Sequence, residues 1–364
     1  MALLPLTMRA LRQVRRVANF KPESDLASCL ELHVVDVPVP RHGQVLLKVE
    51  CAAVNPSNLA MLQGLYADSG STPLPVFTGT EGSGTVVASG GGLLPWWLQG
   101  KRVGALVPSG GMWAEYVVAD ASLCIQLPET ISFEAGTSCF VNPLTCSSFV
   151  RIAQSRHVKA IVNTAAASAL GTPLPSCALK CSYLSLDAGK MLARHAAEHD
   201  IQIIGVVRSQ AQVDALAAWG VKHIVNTSEP HWTDQLTQFC SKLNATVGFE
   251  CVGGDLPGQV QACMPPNSEL FVYGNLTGDR WAAMSPGDLR YNNKRISGFF
   301  LFRYLEEQGW LHTWCMRRQV ARKLSTTFHT DVSASYALDD AVAAIQHYAN
   351  HMTNSKIILK PSQH

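Results

Sequence analysis

The chain has 364 residues, a length that accommodates two domains around a large buried core. A formal net charge of +2 and a charged fraction of 15% give no reason to expect nucleic acid or an anionic membrane as a partner. No uninterrupted apolar run approaches the roughly 18 residues that a membrane span requires. The composition is that of a globular, cytoplasmic protein.

The first segment carries five basic residues and no acid before Glu23. One interpretation is a weak transit peptide, which would place the protein in mitochondria. The other is that MRALRQVRRV, starting at Met8, is the first strand and that residues 1–7 are an added tail.

Residues 8–137 show short apolar runs between Pro and Gly residues, which predicts a β-rich region. From about 158 to 301, apolar strands alternate with helix-length segments, which favours a doubly wound parallel sheet. The predicted strands are VKAIVNT, IQIIGVV, KHIVN, TVGFECV, ELFVYG and RISGFFL. The predicted helices are KMLARHAAEH, AQVDALAAWG and HWTDQLTQFCSKL, followed by LHTWCMRRQVARKL and LDDAVAAIQHYANH. A last strand, SKIILKP, is expected to rejoin the first domain.

Eleven cysteines lie along the chain without a single Cys-x-x-Cys pair; the two that lie closest are Cys177 and Cys181. Structural zinc sites use such close pairs, so the sequence predicts no metal and favours reduced, mostly buried thiols.

The strand VKAIVNT leads into AAASALG, whose small residues permit close approach to a pyrophosphate. The next strand, IQIIGVV, is followed by Arg208 and Ser209. An NAD site usually has an acid at this strand end, whereas an arginine with a hydroxyl neighbour favours a 2′-phosphate. The predicted cofactor is NADPH.

The whole chain resembles the medium-chain dehydrogenase/reductase superfamily, in particular its zinc-free 2-enoyl thioester reductases and quinone reductases. The matching motifs are VNPSNLAMLQGLY (54–66), GTEGSGTVVASGG (79–91), FVNPLTC (140–146), FECVGG (249–254), YGNLTG (273–278), ISGFFL (296–301) and SKIIL (355–359). The resemblance implies an α/β fold: a Rossmann-type NADP-binding domain at 138–303, and a β-rich GroES-like catalytic domain at 1–137 and 304–364.

Zinc-dependent members of the superfamily have a Cys near Asn55 and a His in a Gly-His-Glu motif. This chain has Thr80-Glu81 at the second position and lacks the cluster of four structural cysteines. A zinc-independent reaction is therefore expected.

The resemblance also implies the site residues. Tyr66, in a Gln-Gly-x-Tyr motif, is the expected proton donor for reduction of the C=C bond of an enoyl thioester. Asn55, Trp281 and Phe302 are expected to line the substrate cleft together with Tyr66. The expected cofactor contacts are Asn142, Thr145, Ala167, Ser168, Ala169, Leu170, Arg208, Ser209, Gln210, Tyr273, Gly274, Asn275, Leu276, Phe299, Phe300, Leu301 and Lys356.

The sequence leaves three functional hypotheses open. The first is reduction of 2-enoyl thioesters, favoured by the Asn142-Pro143-x-Thr145 motif. The second is reduction of quinones or other enones, because quinone reductases share a tyrosine near Tyr66. The third is a cofactor-binding or inactive homologue. Related proteins pair edge strands into a homodimer, and RISGFFL is the expected edge strand.

Residues 172–188 interrupt the family pattern between the phosphate loop and the following helix. Two prolines, Pro173 and Pro175, would break a helix that continued from Leu170. The segment has three interpretations: a surface loop, a lid that binds metal through Cys177 and Cys181, or a translated intron. The last is favoured because Gly171 and Gly189 flank the segment.

Overall fold

The structure is a computed structural model that describes residues 4–18, 20, 25–65, 67–164, 186–275, 284–350 and 356–362. It divides into two compact units, unit 1 (Met1–Phe140 and Cys315–His364) and unit 2 (Val141–Trp314). The predicted α/β fold class is confirmed, because unit 1 is built mainly on antiparallel strands and unit 2 on a parallel sheet.

Unit 1 contains two sheets. The smaller one has the order β2-β1-β4, and the larger one has the order β15-β16-β3-β5-β6-β8, with β7 paired to β3. Their strands are β1 (Thr7–Gln13), β2 (Leu30–Asp36), β3 (Gln44–Val54), β4 (Val76–Phe77), β5 (Glu81–Ser89), β6 (Arg102–Leu106), β7 (Tyr116–Asp120), β8 (Cys124–Gln126), β15 (Val332–Ala337) and β16 (Lys356–Lys360). The helices of this unit are α1 (Pro56–Leu62), α2 (Leu93–Leu98), α3 (Phe133–Gly136) and α11 (Ala341–Asn350).

The chain's first and last described strands are both part of unit 1. Strand β1 pairs with β2 and β4, and its Met8, Ala10 and Leu11 side chains are buried. The expectation of a strand in this segment is confirmed, although the strand includes Thr7 and ends at Gln13, four residues earlier than predicted. Strand β16 pairs with β3 through Ile357, Ile358 and Leu359, as expected for a C-terminal strand that rejoins the first domain.

Gly79 sets the turn that leads into β5. Its φ of +78° is a left-handed conformation, and an added Cβ would lie 2.4 Å from Trp113 Cδ1. Trp113 is fully buried and donates its Nε1–H to the Ala53 carbonyl at 3.1 Å. Only glycine satisfies both the backbone conformation and the close packing here.

Unit 2 is built on one parallel sheet with the order β11-β10-β9-β12-β13-β14. In chain order its strands are β9 (Ala160–Thr164), β10 (Gln202–Val207), β11 (His223–Asn226), β12 (Val247–Glu250), β13 (Glu269–Val272) and β14 (Arg295–Gly298). Every residue of β9 is buried, as expected for a central strand covered on both faces. The spatial order, third-second-first-fourth-fifth-sixth, is that of a dinucleotide-binding Rossmann domain.

Among the described helices of unit 2, one precedes the first parallel strand, and the next five connect successive strands. They are α4 (Val141–Ser155), α5 (Leu186–Ala197), α6 (Gln210–Ala218), α7 (Trp232–Leu243), α8 (Leu256–Cys263) and α9 (Pro286–Tyr291). A longer helix, α10 (Leu301–Arg322), contains a break at Gly309, where φ is 76° and ψ is 165°.

Two predicted boundaries are wrong. Helix α5 begins at Leu186, not after Gly189, so the last residues of the segment 172–188 are helical, and Ala188 is fully buried. Strand β14 ends at Gly298, and the remainder of the predicted strand RISGFFL leaves the sheet, so Leu301 begins α10. An apolar run such as Phe-Phe-Leu is compatible with either structure, which explains the second error.

The predicted state of the cysteines is confirmed for those that the structure describes. Nine are free thiols, and eight of these are buried; Cys315 is exposed. Cys177 and Cys181 lie outside the described residues. No helix among the described residues is long and apolar enough to cross a membrane.

Candidate active site

In unit 1 a group of polar side chains surrounds the start of α1; we call it the Asn55 cluster (Asn55, Asn58, Thr80, Glu81 and Lys356). The Asn55 backbone N–H donates to Asn58 Oδ1 at 2.9 Å, an N-terminal capping box that fixes the first turn of α1. Asn58 Nδ2 in turn donates to Thr80 Oγ1 at 3.0 Å. Helix α1 is therefore tied to the Thr80-Glu81 segment that opens β5.

The Asn55 side-chain amide lies between a buried cation and a buried anion. Its Nδ2 donates to Glu81 Oε2 at 3.2 Å, and its Oδ1 accepts a hydrogen bond from Lys356 Nζ. Glu81 is 4% exposed and Lys356 5% exposed, and Glu81 Oε1 also accepts from the Phe140 backbone N–H at 3.0 Å. The amide dipole is aligned with both charges, so each buried charge has a hydrogen-bonded partner.

In unit 2 a second group, the strand-end cluster (Asn163, Thr164, Glu250, Cys251 and Tyr273), lies at the carboxyl ends of β9, β12 and β13. The sheet order reverses between β9 and β12, and ligands of open α/β sheets bind outside the carboxyl ends of strands at such a point. Thr164 Oγ1 accepts from the Cys251 N–H at 3.1 Å and donates to Glu250 Oε1 at 3.3 Å.

Glu250 is fully buried at the end of β12, and its carboxylate organises the loop that follows. Its Oε1 accepts from the backbone N–H groups of Val252 at 2.6 Å and Gly253 at 3.1 Å. Burial raises the pKa of Glu250 above its usual value, although the hydrogen bonds from Gly253, Val252 and Thr164 oppose that shift. Glu250 therefore holds the ends of two neighbouring strands in register at the switch point.

Aromatic rings pack beside the strand-end cluster around Phe149 of α4. Phe149 stacks on Phe249 with a centroid distance of 3.8 Å, and it contacts Tyr273 at 5.0 Å and Phe299 at 5.1 Å. The Tyr273 hydroxyl donates to Asn163 Oδ1 at 3.4 Å, and burial raises its pKa well above the usual range. Tyr273 is thus held as a neutral phenol.

The end of β10 carries the residues expected to select the cofactor. Arg208 is exposed, and its backbone N–H donates to Gln212 Oε1 at 3.0 Å, which fixes the turn into α6. Ser209 is the N-cap residue of α6. Gln210 Nε2 donates to Asp214 Oδ1 at 2.8 Å, so its amide has a partner within the helix.

The other predicted site residues are distributed over both units. In unit 2, Thr145 is buried and Asn142 half-buried in α4; Gly274 and Asn275 follow β13. Phe300 is 50% exposed, and its ring lies 5.4 Å from that of Phe302. Some predicted site residues lie outside the described part of the chain: Tyr66, Ala167, Ser168, Ala169, Leu170, Leu276 and Trp281.

Two buried carboxylates, Glu81 and Glu250, are site residues that the sequence pattern does not predict. Both stand in motifs shared with the family, GTEGSG and FECVGG. For Glu250 the available signal was an acid at the end of an apolar strand, and for Glu81 an acid at the start of one. A carboxylate in either position is seldom buried without a specific set of donors.

Comparison with known proteins agrees with this architecture. Residues 41–129 match the family model described as alcohol dehydrogenase GroES-like domain, and residues 188–314 match the one described as zinc-binding dehydrogenase. The chain belongs to the medium-chain dehydrogenase/reductase superfamily. Within this superfamily it belongs to the branch that holds enoyl reductases and quinone oxidoreductases.

Individual relatives cover most of the chain. The mitochondrial enoyl-[acyl-carrier-protein] reductase of Bos taurus is 25% identical over 304 residues, which are 81% of this chain and 74% of the relative. The synaptic vesicle membrane protein VAT-1 homolog of Mus musculus is 24% identical over 340 residues, 89% of this chain and 78% of that protein.

Among solved structures, a candidate NADPH:quinone reductase of Mesorhizobium loti is 28% identical, with a TM-score of 0.78 over 99% of this chain and 100% of that one. The quinone oxidoreductase of Thermus thermophilus, solved also with NADPH, shares the fold at 19% identity and a TM-score of 0.68, over 97% of this chain and 100% of that chain.

The Asn55 cluster does not fit the zinc ion to which the second family description refers. Asn55 Oδ1 accepts from the Lys356 ammonium, and a metal ion beside that cation would be repelled. Glu81 already accepts from two N–H groups, and no cysteine or histidine belongs to the cluster. No step of the reaction is therefore assigned to zinc at this position.

Proposed function

We propose that this protein is an NADPH-dependent, zinc-independent reductase of the C=C bond of 2-enoyl thioesters. The observation that carries the proposal is the end of the second strand of the Rossmann sheet, where Arg208 and Ser209 replace the acid of an NAD site. The similarity to enoyl-[acyl-carrier-protein] reductases along 81% of the chain supports the thioester as the substrate.

The described residues fit this cofactor. Arg208 supplies a charge-assisted hydrogen bond for a 2′-phosphate, and Ser209 supplies a hydroxyl at the start of α6. The strand-end cluster holds the switch point in place through Glu250, where the dinucleotide of such a domain binds. Asn142 and Thr145, the segment 273–276, residues 299–301 and Lys356 complete the proposed cofactor contacts.

When bound, NADPH would supply a hydride from its nicotinamide ring and become NADP⁺; the hydride would add to the β-carbon of the enoyl thioester as the π bond of the C=C group breaks. The electron pair of that bond moves to the α-carbon and the thioester oxygen. Tyr66 is proposed to donate its phenolic proton to the α-carbon, and solvent then restores that proton. Asn55, Trp281 and Phe302 are proposed to hold the acyl group.

A second candidate reaction is the reduction of a quinone or another enone. It is favoured by the Mesorhizobium loti relative, which matches nearly the whole chain at 28% identity. In the third candidate, the segment 172–188 interrupts the phosphate loop, and the protein is a cofactor-binding or inactive homologue.

The proposed assembly is a homodimer formed through β14, because β14 is an edge strand of the parallel sheet. A small-molecule substrate and no nucleic acid partner are part of the same proposal, as is a cytoplasmic location. The mitochondrial alternative accords with the name of the bovine relative.

An isotope experiment tests the proposed reaction. Crotonyl-CoA is incubated with protein and NADPH that carries deuterium at the transferable position, and butyryl-CoA is analysed by mass spectrometry. We expect a single deuterium at the β-carbon, and a single one at the α-carbon when unlabelled NADPH is used in heavy water. Absence of label from both positions while a quinone is reduced would favour the second candidate. NADPH binding without turnover of either substrate, or the absence of NADPH binding, would favour the third.

A further inference from the structure

The end of helix α5 brings together three metal-ligand side chains, His195, Glu198 and His199. One ligand atom from each lies within 4.8 Å of the other two, and no other group of three such residues occurs in the part of the chain that the structure describes. The spacing i, i+3, i+4 places all three on one face at the end of the helix. This group lies in unit 2, whereas the family's zinc position corresponds to the Asn55 cluster in unit 1.

The distance between His195 and Glu198 is that of a long hydrogen bond and also equals the ligand–ligand edge of a tetrahedral zinc site. His195 Nδ1 lies 3.3 Å from Glu198 Oε2. Charge-assisted N–H···O bonds are shorter, about 2.7–2.9 Å. Two ligands at about 2.0–2.1 Å from a tetrahedral zinc ion are separated by about 3.3 Å.

The tautomer of His199 is fixed by the helix backbone. Its Nδ1 donates to the His195 carbonyl oxygen at 2.9 Å, because a carbonyl can only accept. The lone pair of His199 Nε2 is therefore available to a metal ion. Metal-ligating histidines usually donate their other ring N–H to such a carbonyl or carboxylate, which orients the ring.

We propose that His195, Glu198 and His199 form a binding site for a divalent zinc-like transition-metal ion. The two imidazoles and the carboxylate supply three ligands, and water completes the tetrahedron on the side where Glu198 is exposed. The ion would link the last turn of α5 to the connection that leads into β10. It would stabilise this part of the nucleotide-binding unit by mass action, independently of the proposed reductase activity.

Another histidine in the same unit provides a matched control. His231 Nδ1 lies 3.5 Å from Asp234 Oδ2, also at the spacing i, i+3. Because both side chains are largely exposed and no third ligand joins them in the described structure, this pair should not bind zinc at comparable affinity. Among the described cysteines, the exposed thiol of Cys315 is a second competing ligand to control, because thiolates bind zinc and cobalt. Cys177 and Cys181, which lie outside the described residues, are competing thiols for the same reason.

The test uses the full-length protein without a histidine tag, titrated with Zn²⁺ by calorimetry and with Co²⁺ by absorption spectroscopy. We expect one site per chain, visible Co²⁺ bands without a thiolate charge-transfer band, and a higher melting temperature with Zn²⁺. Glu198→Gln keeps the shape of an exposed side chain and should bind at least about tenfold more weakly, as should His199→Ala. His231→Ala and Cys315→Ser should bind like the unsubstituted chain.

Two results would overturn the proposal. The first is the absence of saturable Zn²⁺ binding to the unsubstituted chain. The second is binding that keeps its affinity in both Glu198→Gln and His199→Ala, whichever other residue then holds the ion. Circular dichroism of each variant without metal shows whether the fold is retained. If His199→Ala fails to fold, Glu198→Gln decides alone.

Discussion

Replacement of Glu250 separates the hydrogen-bonding role of this side chain from its charge. In Glu250→Ala, the backbone N–H groups of Val252 and Gly253 and the hydroxyl of Thr164 lose their shared acceptor. A buried donor without a partner costs about 1–3 kcal/mol. Because Val252 and Gly253 are only partly buried, water can reach them, and we expect the free energy of unfolding to fall by about 2–4 kcal/mol.

Glu250→Gln should behave differently because the three shortest hydrogen bonds all reach one oxygen, Oε1. The carbonyl oxygen of the glutamine side chain can occupy the position of Oε1. Its NH₂ group then replaces Oε2, and Oε2 accepts only one long hydrogen bond, from the Gly253 N–H at 3.4 Å. The expected change in unfolding free energy is within about 1 kcal/mol. The measurement is equilibrium urea denaturation of both variants, followed by intrinsic fluorescence.

The stability of Glu250→Gln relative to the unsubstituted chain should depend on pH, and the sign of that dependence follows from the pKa of Glu250. The pKa of Glu250 is raised by burial above its usual value of 4.5, so the folded state binds the proton more tightly than the unfolded state. Its contribution to stability is complete below pH 4.5 and is lost as the pH rises through the folded-state pKa. Glu250→Gln lacks this loss and should gain stability relative to the unsubstituted chain as the pH rises. Equal destabilisation by Gln and Ala, or a relative stability that is independent of pH, would refute this reasoning.

Three further substitutions test other parts of the structure. Arg208→Ala should weaken NADPH binding about tenfold or more, because it removes a charge-assisted hydrogen bond to the 2′-phosphate. NADH binding should be unchanged, and a fluorescence titration measures both affinities. Tyr66→Phe should lower kcat for the thioester by about 10²–10⁴-fold at unchanged NADPH affinity, and full activity would remove Tyr66 as the proton donor. Gly79→Ala should lower the melting temperature because its Cβ would lie 2.4 Å from Trp113 Cδ1. Gly100→Ala is the control, since Gly100 has a φ of +75° but no atom within 4 Å of an added Cβ, and its melting temperature should fall less.

Much of the fold follows from local patterns in the sequence. The alternation of strands and helices predicts the parallel sheet, since such patterns depend only on neighbouring residues. The position of Arg208 at a strand end is predicted for the same reason, and it is found directly after β10. The start of the helix after the anomalous segment is predicted at Lys190, whereas α5 begins at Leu186. The residues from Leu186 onward are compatible both with an insert and with a first helical turn, so the pattern does not fix the start.

The roles of the buried charges could not be predicted because their partners are distant in the chain. Glu81 is bound by Asn55 and by the backbone of Phe140, 26 and 59 residues away. Glu250 depends on Thr164, which is 86 residues away. Such contacts follow from strand order and register, which the sequence pattern alone does not fix.

The most direct test of the account is NADPH oxidation by the purified full-length chain, with crotonyl-CoA and a small quinone supplied separately. The account predicts that NADPH is oxidised at a rate that saturates with crotonyl-CoA. It also predicts little oxidation of NADH under the same conditions, and a lower kcat/KM for the quinone than for crotonyl-CoA. Reduction of the quinone without any turnover of crotonyl-CoA would contradict it.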